Sequence, residues 1–350
     1  MASTTRATWI VGIVLAVHAA LLAWGAWRHS PTVDEVAYLP AGVWHWTAGQ
    51  FGLARVSPPL ARLVATAPLV ALESPATNWA RVDTSPGRRT EHDAGRDFLA
   101  ANGSQSFAYF TIARWSCIGF SLLGGWICFR WANALYGAVS GVLAAVMWCF
   151  SPNLIAHGQL VTPDMAVTAF GIAATYAFWR WLRQPDWRRT VVMGLLLGLC
   201  QLSKTSGVVI AAVWPVLWLV DRWPIYRWSS GKKRAIEGVQ LLLAFSLALL
   251  VLNAGYLFQG TGTPLGRFEF VSAFGAGPRT QQDGESHSGN RFAESWIGHM
   301  AVPLPKDYVL GVDLQKKAFE TRLRSYLGGT YIQGGWWYYY LECQNQTICS

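Results

Sequence analysis

TWIVGIVLAVHAALLAWGAW (residues 8–27), followed at once by RHSPTVDEVAY (28–38), decides the fold. The first stretch has the length and apolarity of one α-helical crossing of a bilayer, which needs about 20 such residues. The second sets Asp34 and Glu35 side by side at the mouth of that span. Adjacent carboxylates there are costly unless they have a task. The apolar stretch is long for a signal peptide and no small-x-small cleavage site precedes Arg28, so it reads as a retained anchor.

Composition extends this reading to the whole chain. Hydrophobic residues make up 52%, charged residues 13%, and 20 of the 350 residues are Trp. Such a balance argues against an ordinary soluble domain and for an all-α, polytopic membrane protein. Six more apolar runs lie near 111–129, 137–150, 165–182, 190–202, 206–220 and 237–258. With the first they predict about seven transmembrane helices, several of them short for a crossing.

A net charge of +9 could suit a nucleic-acid partner, but the basic residues gather at span ends instead. Arg6, Arg130, Arg180, Arg183, Arg188, Arg189 and the basic cluster 222–234 all fall on one side, whereas the 151–163 connection carries no Lys or Arg. The positive-inside rule then predicts a multi-pass protein of the cell (inner) membrane with a cytoplasmic N-terminus. Asp34, Glu35 and Asp164 would face the extracytoplasmic side, and the partner implied is the lipid bilayer, with no nucleic acid.

Two long outer segments follow from that topology, 28–108 and 259–350, so the chain divides into a transmembrane module (1–258) and an extracytoplasmic cap (259–350). Within the first, VSPPLARL (56–63) and the apolar residues to Leu72 predict an amphipathic interfacial helix with Pro59 near its first turn. Cys117, Cys128, Cys149 and Cys200 read as small apolar fillers within spans, leaving Cys343 and Cys349 able to form an outer disulfide. Walker, dinucleotide-binding, paired-cysteine zinc and His-Glu-x-x-His patterns are missing, so nothing supports ATP or NAD chemistry.

Taken together, the first span, Asp34-Glu35 with Tyr38, Ser57-Pro58-Pro59-Leu60 and Arg114 resemble the protein O-mannosyltransferases and lipid A aminoarabinose transferases. So do Ser151-Pro152-Asn153, His157-Gly158, Thr162-Pro163-Asp164 and the run from Leu202 to Gly207. Both groups are GT-C glycosyltransferases, with family 39-like features here. The resemblance implies a polyprenyl-phosphate-linked sugar as donor, inversion at the sugar, and a protein, lipid or glycan acceptor on the extracytoplasmic face.

That chemistry needs an acceptor hydroxyl to lose its proton as it attacks the anomeric carbon, a task for a carboxylate. Asp34 is the expected general base, acting directly or through a divalent metal, with Glu35 as orienting neighbour or second acid. The alternative is that both acids only favour the start of a helix after Pro31. Asp164 reads equally as an active-site acid or as the first-turn acid of a helix capped by Thr162.

The leaving lipid phosphate needs cations, for which Lys204, Arg114 and Arg62 are the candidates. Lys204 lies between apolar runs, where an ammonium must reach the interface or meet an anion. Related enzymes carry a basic residue just before Pro-Pro-Leu; here Ser57 stands in that place, and Arg55 is the nearby substitute. His157, His287 and His299 are not spaced as metal ligands. Within this family the aromatic run 334–340 would lead into further spans, yet residues 341–350 are polar. A short or truncated, inactive family member is therefore one alternative reading, and a polyprenyl-phosphate-binding or transport protein without catalysis is another.

Overall fold

The computed structural model describes residues 2–223, 231–277, 288–321 and 324–339. In chain order the helices are α1 (Ala2–Arg28), α2 (Val33–Ala48), α3 (Leu60–Pro68), α4 (Glu91–Asn102), α5 (Gln105–Tyr136), α6 (Ala138–Cys149), α7 (Pro152–Gly158), α8 (Pro163–Arg183), α9 (Trp187–Ser203), α10 (Val208–Arg222), α11 (Gly231–Gly255), α12 (Ala273–Ala276) and α13 (Lys306–Glu320). A single antiparallel hairpin pairs β1 (Arg324–Leu327) with β2 (Thr330–Gln333). The all-α polytopic class holds, and each of the seven apolar runs lies on a helix.

Among the described residues four helices are long and apolar enough to cross a membrane alone, Thr5–Arg28, Gln105–Tyr136, Thr205–Arg222 and Gly231–Gly255. α6 and α7, bent by 60°, make a fifth if taken as one broken span. The other two of the seven expected spans, α8 and α9, are shorter or more charged at one end, for a physical reason. α8 ends on Arg180 and Arg183 and α9 has only 17 residues. Both spend their apolar surface on neighbouring helices, with Trp181, Met193 and Leu197 fully enclosed. Helices at the periphery do the reverse and turn Trp9, Ile13, Val209, Val216, Leu242 and Leu250 outward.

Contacts at helix ends show that the chain runs back and forth. At one end Val161 N–H donates to Glu35 (2.9 Å), Lys204 meets Asp164 (2.6 Å), and Gln259 donates to Gly49 O. At the other, Arg222 donates to Leu182 O (2.7 Å) and to Glu237 (2.9 Å), while Trp181 donates to Gln240 (2.9 Å). Small residues allow the close approaches this requires. A Cβ on Gly198 of α9 would lie 2.5 Å from Val251 of α11, and one on Gly124 of α5 would lie 2.1 Å from the Trp148 ring of α6. His18 joins three helices, donating from Nδ1 to Cys149 O and accepting at Nε2 from Ser121.

Segment 28–108 is more helical than a loop. α3 starts directly after Pro59, as expected, and continues as a π-turn over Leu69–Glu73, while α4 had no sequence forecast. Described residues of segment 259–350 pack on segment 28–108. Arg55 bonds Asp307 of α13 (2.7 Å), and Gly311 comes so close that a Cβ there would sit 2.2 Å from Arg55 O. Cys117, Cys149 and Cys200 are buried free thiols and Cys128 is half-buried. Cys343, Cys349, His287 and the polar stretch 341–350 lie outside the described residues.

Candidate active site

The site is built where α2 begins. Thr32 is extended (φ −80°, ψ 163°) and serves as N-cap, so Glu35 stands at the third helical position. Glu35 turns back to accept from Thr32 N–H at 2.9 Å, the reciprocal half of a capping box. The rest of its capacity is used by the bundle. Arg114 Nε and Nη2 reach Oε1 and Oε2 at 2.7 and 2.6 Å, and Val161 N–H reaches Oε1 at 2.9 Å. Burial alone would push this carboxyl up, but the Arg114 guanidinium and the Thr32 and Val161 amides outweigh it and hold Glu35 below the ordinary glutamate range.

Arg114 was expected to help bind phosphate, and the structure gives it another job. A guanidinium has five N–H donors. Besides Glu35, those of Arg114 go to Ala26 O (3.1 Å), His29 O (2.7 Å) and Ser30 O (3.0 Å). All its donors are engaged and its side chain is 1% exposed. Arg114 closes the C-terminal end of α1 and anchors Glu35, leaving no N–H for a lipid phosphate.

Asp34, one residue earlier on the same helical turn, points out of the packed interior and is exposed. No hydrogen bond or ion pair ties it to another described residue. The two adjacent carboxylates are therefore divided, one locked into the bundle and one presented at the surface. Through Val161 the locked one also anchors the segment leading to Asp164, three residues further on.

Asp164 and Lys204 are brought together. Pro163 and Asp164 open α8 as expected, with Thr162 at the N-cap, though the Thr162 hydroxyl makes no cap bond. Lys204 ends α9, and its Nζ lies 2.6 Å from Asp164 Oδ1 with the two side chains 34% and 42% exposed. The anion that Lys204 needs in the free protein thus comes from its own chain. Two polar groups close along the chain have no hydrogen-bond partner among the described residues, the hydroxyl of Thr162 and the amide nitrogen of Gln201, and both residues are more than nine-tenths buried.

Arg62 lies on α3, which packs against α8 and α9. It is 3% exposed, its guanidinium sits 5.4 Å from the Tyr38 ring centre, and it donates to His45 Nε2 (3.3 Å) and Ser57 O (2.8 Å). No carboxylate among the described residues forms an ion pair with it. His45 was not foreseen. Its Nδ1–H donates to Gln50 O at 2.8 Å, which leaves Nε2 as the acceptor that receives Arg62. Burial, and then the Arg62 charge, hold the His45 imidazole well below its ordinary range, hence neutral. Spacing gave no signal for this pair. Arg55, the suggested stand-in at the Pro-Pro-Leu motif, is instead taken by Asp307 and Thr84 O.

No three His, Cys, Asp or Glu side chains among the described residues converge as metal ligands. The divalent-metal alternative stays open, since such an ion can be held by one or two carboxylates and a substrate phosphate, and no step below runs through a metal.

Residues 107–253 match the family model described as dolichyl-phosphate-mannose-protein mannosyltransferase. The stretch runs from α5 into α11 and contains Arg114, Asp164 and Lys204, whereas Asp34, Glu35 and Arg62 precede it. Over this region the chain resembles membrane glycosyltransferases of the GT-C, mannosyltransferase type. No curated protein and no solved structure matches the chain.

Proposed function

We propose that this multi-pass protein transfers a sugar from a polyprenyl-phosphate donor to a hydroxyl of a protein, lipid or glycan, on the extracytoplasmic face. The observation that carries the reading is the division of labour at Asp34-Glu35. Glu35 is saturated with donors and cannot take a proton usefully, whereas Asp34 is presented at the surface without a partner among the described residues.

In this reading the acceptor oxygen forms its bond to the anomeric carbon as its proton passes to the Asp34 carboxylate. The bond from that carbon to the phosphate oxygen breaks with the opposite geometry, and its electron pair leaves with polyprenyl phosphate. The departing group gains a negative charge, which Arg62 and Lys204 are suited to neutralise. Arg62 is the stronger candidate of the two, because a buried cation without a carboxylate leaves charge for a ligand to satisfy.

The test is to incubate membranes containing the protein with a panel of radiolabelled polyprenyl-phosphate sugars and follow the label. Wild-type protein should move one of them to an acceptor. Asp34→Asn should insert normally and lose about 10²–10⁴-fold in turnover. Retention of more than about a tenth of the activity would remove Asp34 as the base, and binding without any transfer would favour the non-catalytic lipid-phosphate reading.

A further inference from the structure

At the ends of α8 and α9 farthest from Asp164 and Lys204, four arginines crowd the turn 184–186. Arg189 braces that turn. Its backbone N–H donates to Asp186 (2.8 Å), and its guanidinium reaches Gln184 O (2.6 Å), Gln184 Oε1 (2.8 Å) and the Asp186 carboxylate (3.2 Å). Arg180 and Arg183 lie over the Tyr176 and Trp179 rings, 5.9 and 5.8 Å from their centres. Arg180, Arg183 and Arg188 are exposed, and none of the three forms an ion pair with a carboxylate among the described residues.

Two cavities meet at this end. The larger, about 570 Å³, is lined by Arg180, Asp186, Trp187, Arg188 and Arg189. The smaller, about 120 Å³, shares Arg180, Arg188 and Arg189 with it and is otherwise lined by Ala177 and Val192. Ala177 precedes Arg180 by three residues and Val192 follows Arg189 by three, which sets the apolar walls about one helical turn further along α8 and α9 than the arginines. The preference of basic residues for one side of a membrane accounts for arginines at this end. It requires neither a cavity between them nor an apolar slot behind it.

We infer that these cavities form a site for an anionic phospholipid, with its phosphodiester at Arg180 and Arg188 and the start of an acyl chain in the slot beside Ala177 and Val192. Charge selects the head. Guanidinium groups match phosphate oxygens in pairs, and Asp186, the carboxylate in the lining, is already paired with Arg189. Two guanidinium charges are left for a ligand, and basic pockets between transmembrane helices suit acidic lipid headgroups. The slot selects the lipid over a soluble phosphate, because methylene groups gain by entering it and water-soluble groups do not. Trp187, half exposed, stands where an indole favours the headgroup region. The site lies apart from the residues assigned to sugar transfer and stands or falls independently of them.

Titration of the full-length protein in an uncharged detergent tests this with three probes. Phosphatidylglycerol carries the anionic head and the tails, phosphatidylcholine has the same phosphodiester neutralised by its choline, and glycerol 3-phosphate has a head without tails. Native mass spectrometry reads the bound lipid. Phosphatidylglycerol should bind at least about tenfold more tightly than either of the others, and Arg180→Gln with Arg188→Gln should weaken it by about tenfold or more. Arg6→Gln with Arg130→Gln removes the same charge from two other exposed arginines and should leave its binding unchanged.

Equal losses in the two double variants would mean that phosphatidylglycerol responds only to overall charge, and would overturn the site. Equal binding of phosphatidylcholine would overturn the selection of an anionic head. Glycerol 3-phosphate binding as tightly as phosphatidylglycerol would overturn the lipid in favour of a free phosphate. Should Arg180→Gln with Arg188→Gln fail to fold, phosphatidylglycerol carrying a diazirine near its head decides on the wild-type protein. Label on peptides from the end of α8 or the start of α9 is expected, and label confined to other helices overturns the proposal.

Discussion

Arg114 and Glu35, 79 residues apart in sequence, form a two-point ion pair at 2.6 and 2.7 Å with both side chains essentially sealed from solvent. The pair fixes the start of α2 to α5. It thereby sets where Asp34 is displayed.

Removing either partner leaves the other as an uncompensated buried charge. Glu35→Ala and Arg114→Ala should each destabilise the protein by about 3–5 kcal/mol, and the double variant should cost less than the sum of the two. A double-mutant cycle on unfolding in detergent measures this. Strict additivity would mean that the two side chains do not act as a unit.

The Lys204–Asp164 pair is half exposed and should contribute only about 0–1 kcal/mol to stability. Its carboxylate competes with an incoming phosphate for the same ammonium. Asp164→Asn should therefore tighten binding of a polyprenyl phosphate by up to about fivefold, while Lys204→Ala loosens it. Calorimetric or fluorescence titration reads both. Weaker binding by Asp164→Asn would instead place Asp164 among the groups that hold the ligand.

These two pairs show how much of the site was legible in the sequence. The carboxylates, the lysine and the helix starts at Pro31, Pro59 and Pro163 could all be read, because each is a local pattern. The sharing of tasks could not. Arg114 is satisfied largely by main-chain carbonyls at the end of α1 and just after it, which look the same whatever the sequence, and Lys204 finds its anion 40 residues away. His45 stands between two tryptophans with no local pattern to mark it, and only the packing of α3 lays Arg62 beside it. α8 and α9 stand out less as spans in the sequence, since their apolar surface is spent on neighbouring helices.

Stability should fall between pH 7 and pH 5 because of His45. Its folded form is held neutral below the ordinary range, so the unfolded chain takes up a proton first as the pH drops through about 6.5. The contribution is present above that pH and is lost below it, with a slope of up to about 1.4 kcal/mol per pH unit. His45→Gln should flatten this part of the profile. Glu35 acts lower on the scale, its contribution being lost only once the pH falls past the ordinary glutamate range.

Orientation in the membrane can be read from the two ends of one helix. Ser104 and Gly137 flank α5 and both are exposed. With the six native cysteines replaced, an impermeant thiol reagent added to intact cells should label Ser104→Cys and spare Gly137→Cys. The reverse result would turn Asp34 toward the cytoplasm and overturn the proposed reaction face.

The bond between Arg55 and Asp307 joins groups 252 residues apart, and this imposes an order on biogenesis. At about 5–20 residues per second, a ribosome needs roughly 10–50 s to get from one to the other. During that interval the segment bearing Asp34 can first acquire Arg114, then Val161, and only last the clasp from α13. The earliest part of the site to be synthesised is thus among the last to be fastened. Faults late in the chain, far from any reacting group, should be felt at its beginning.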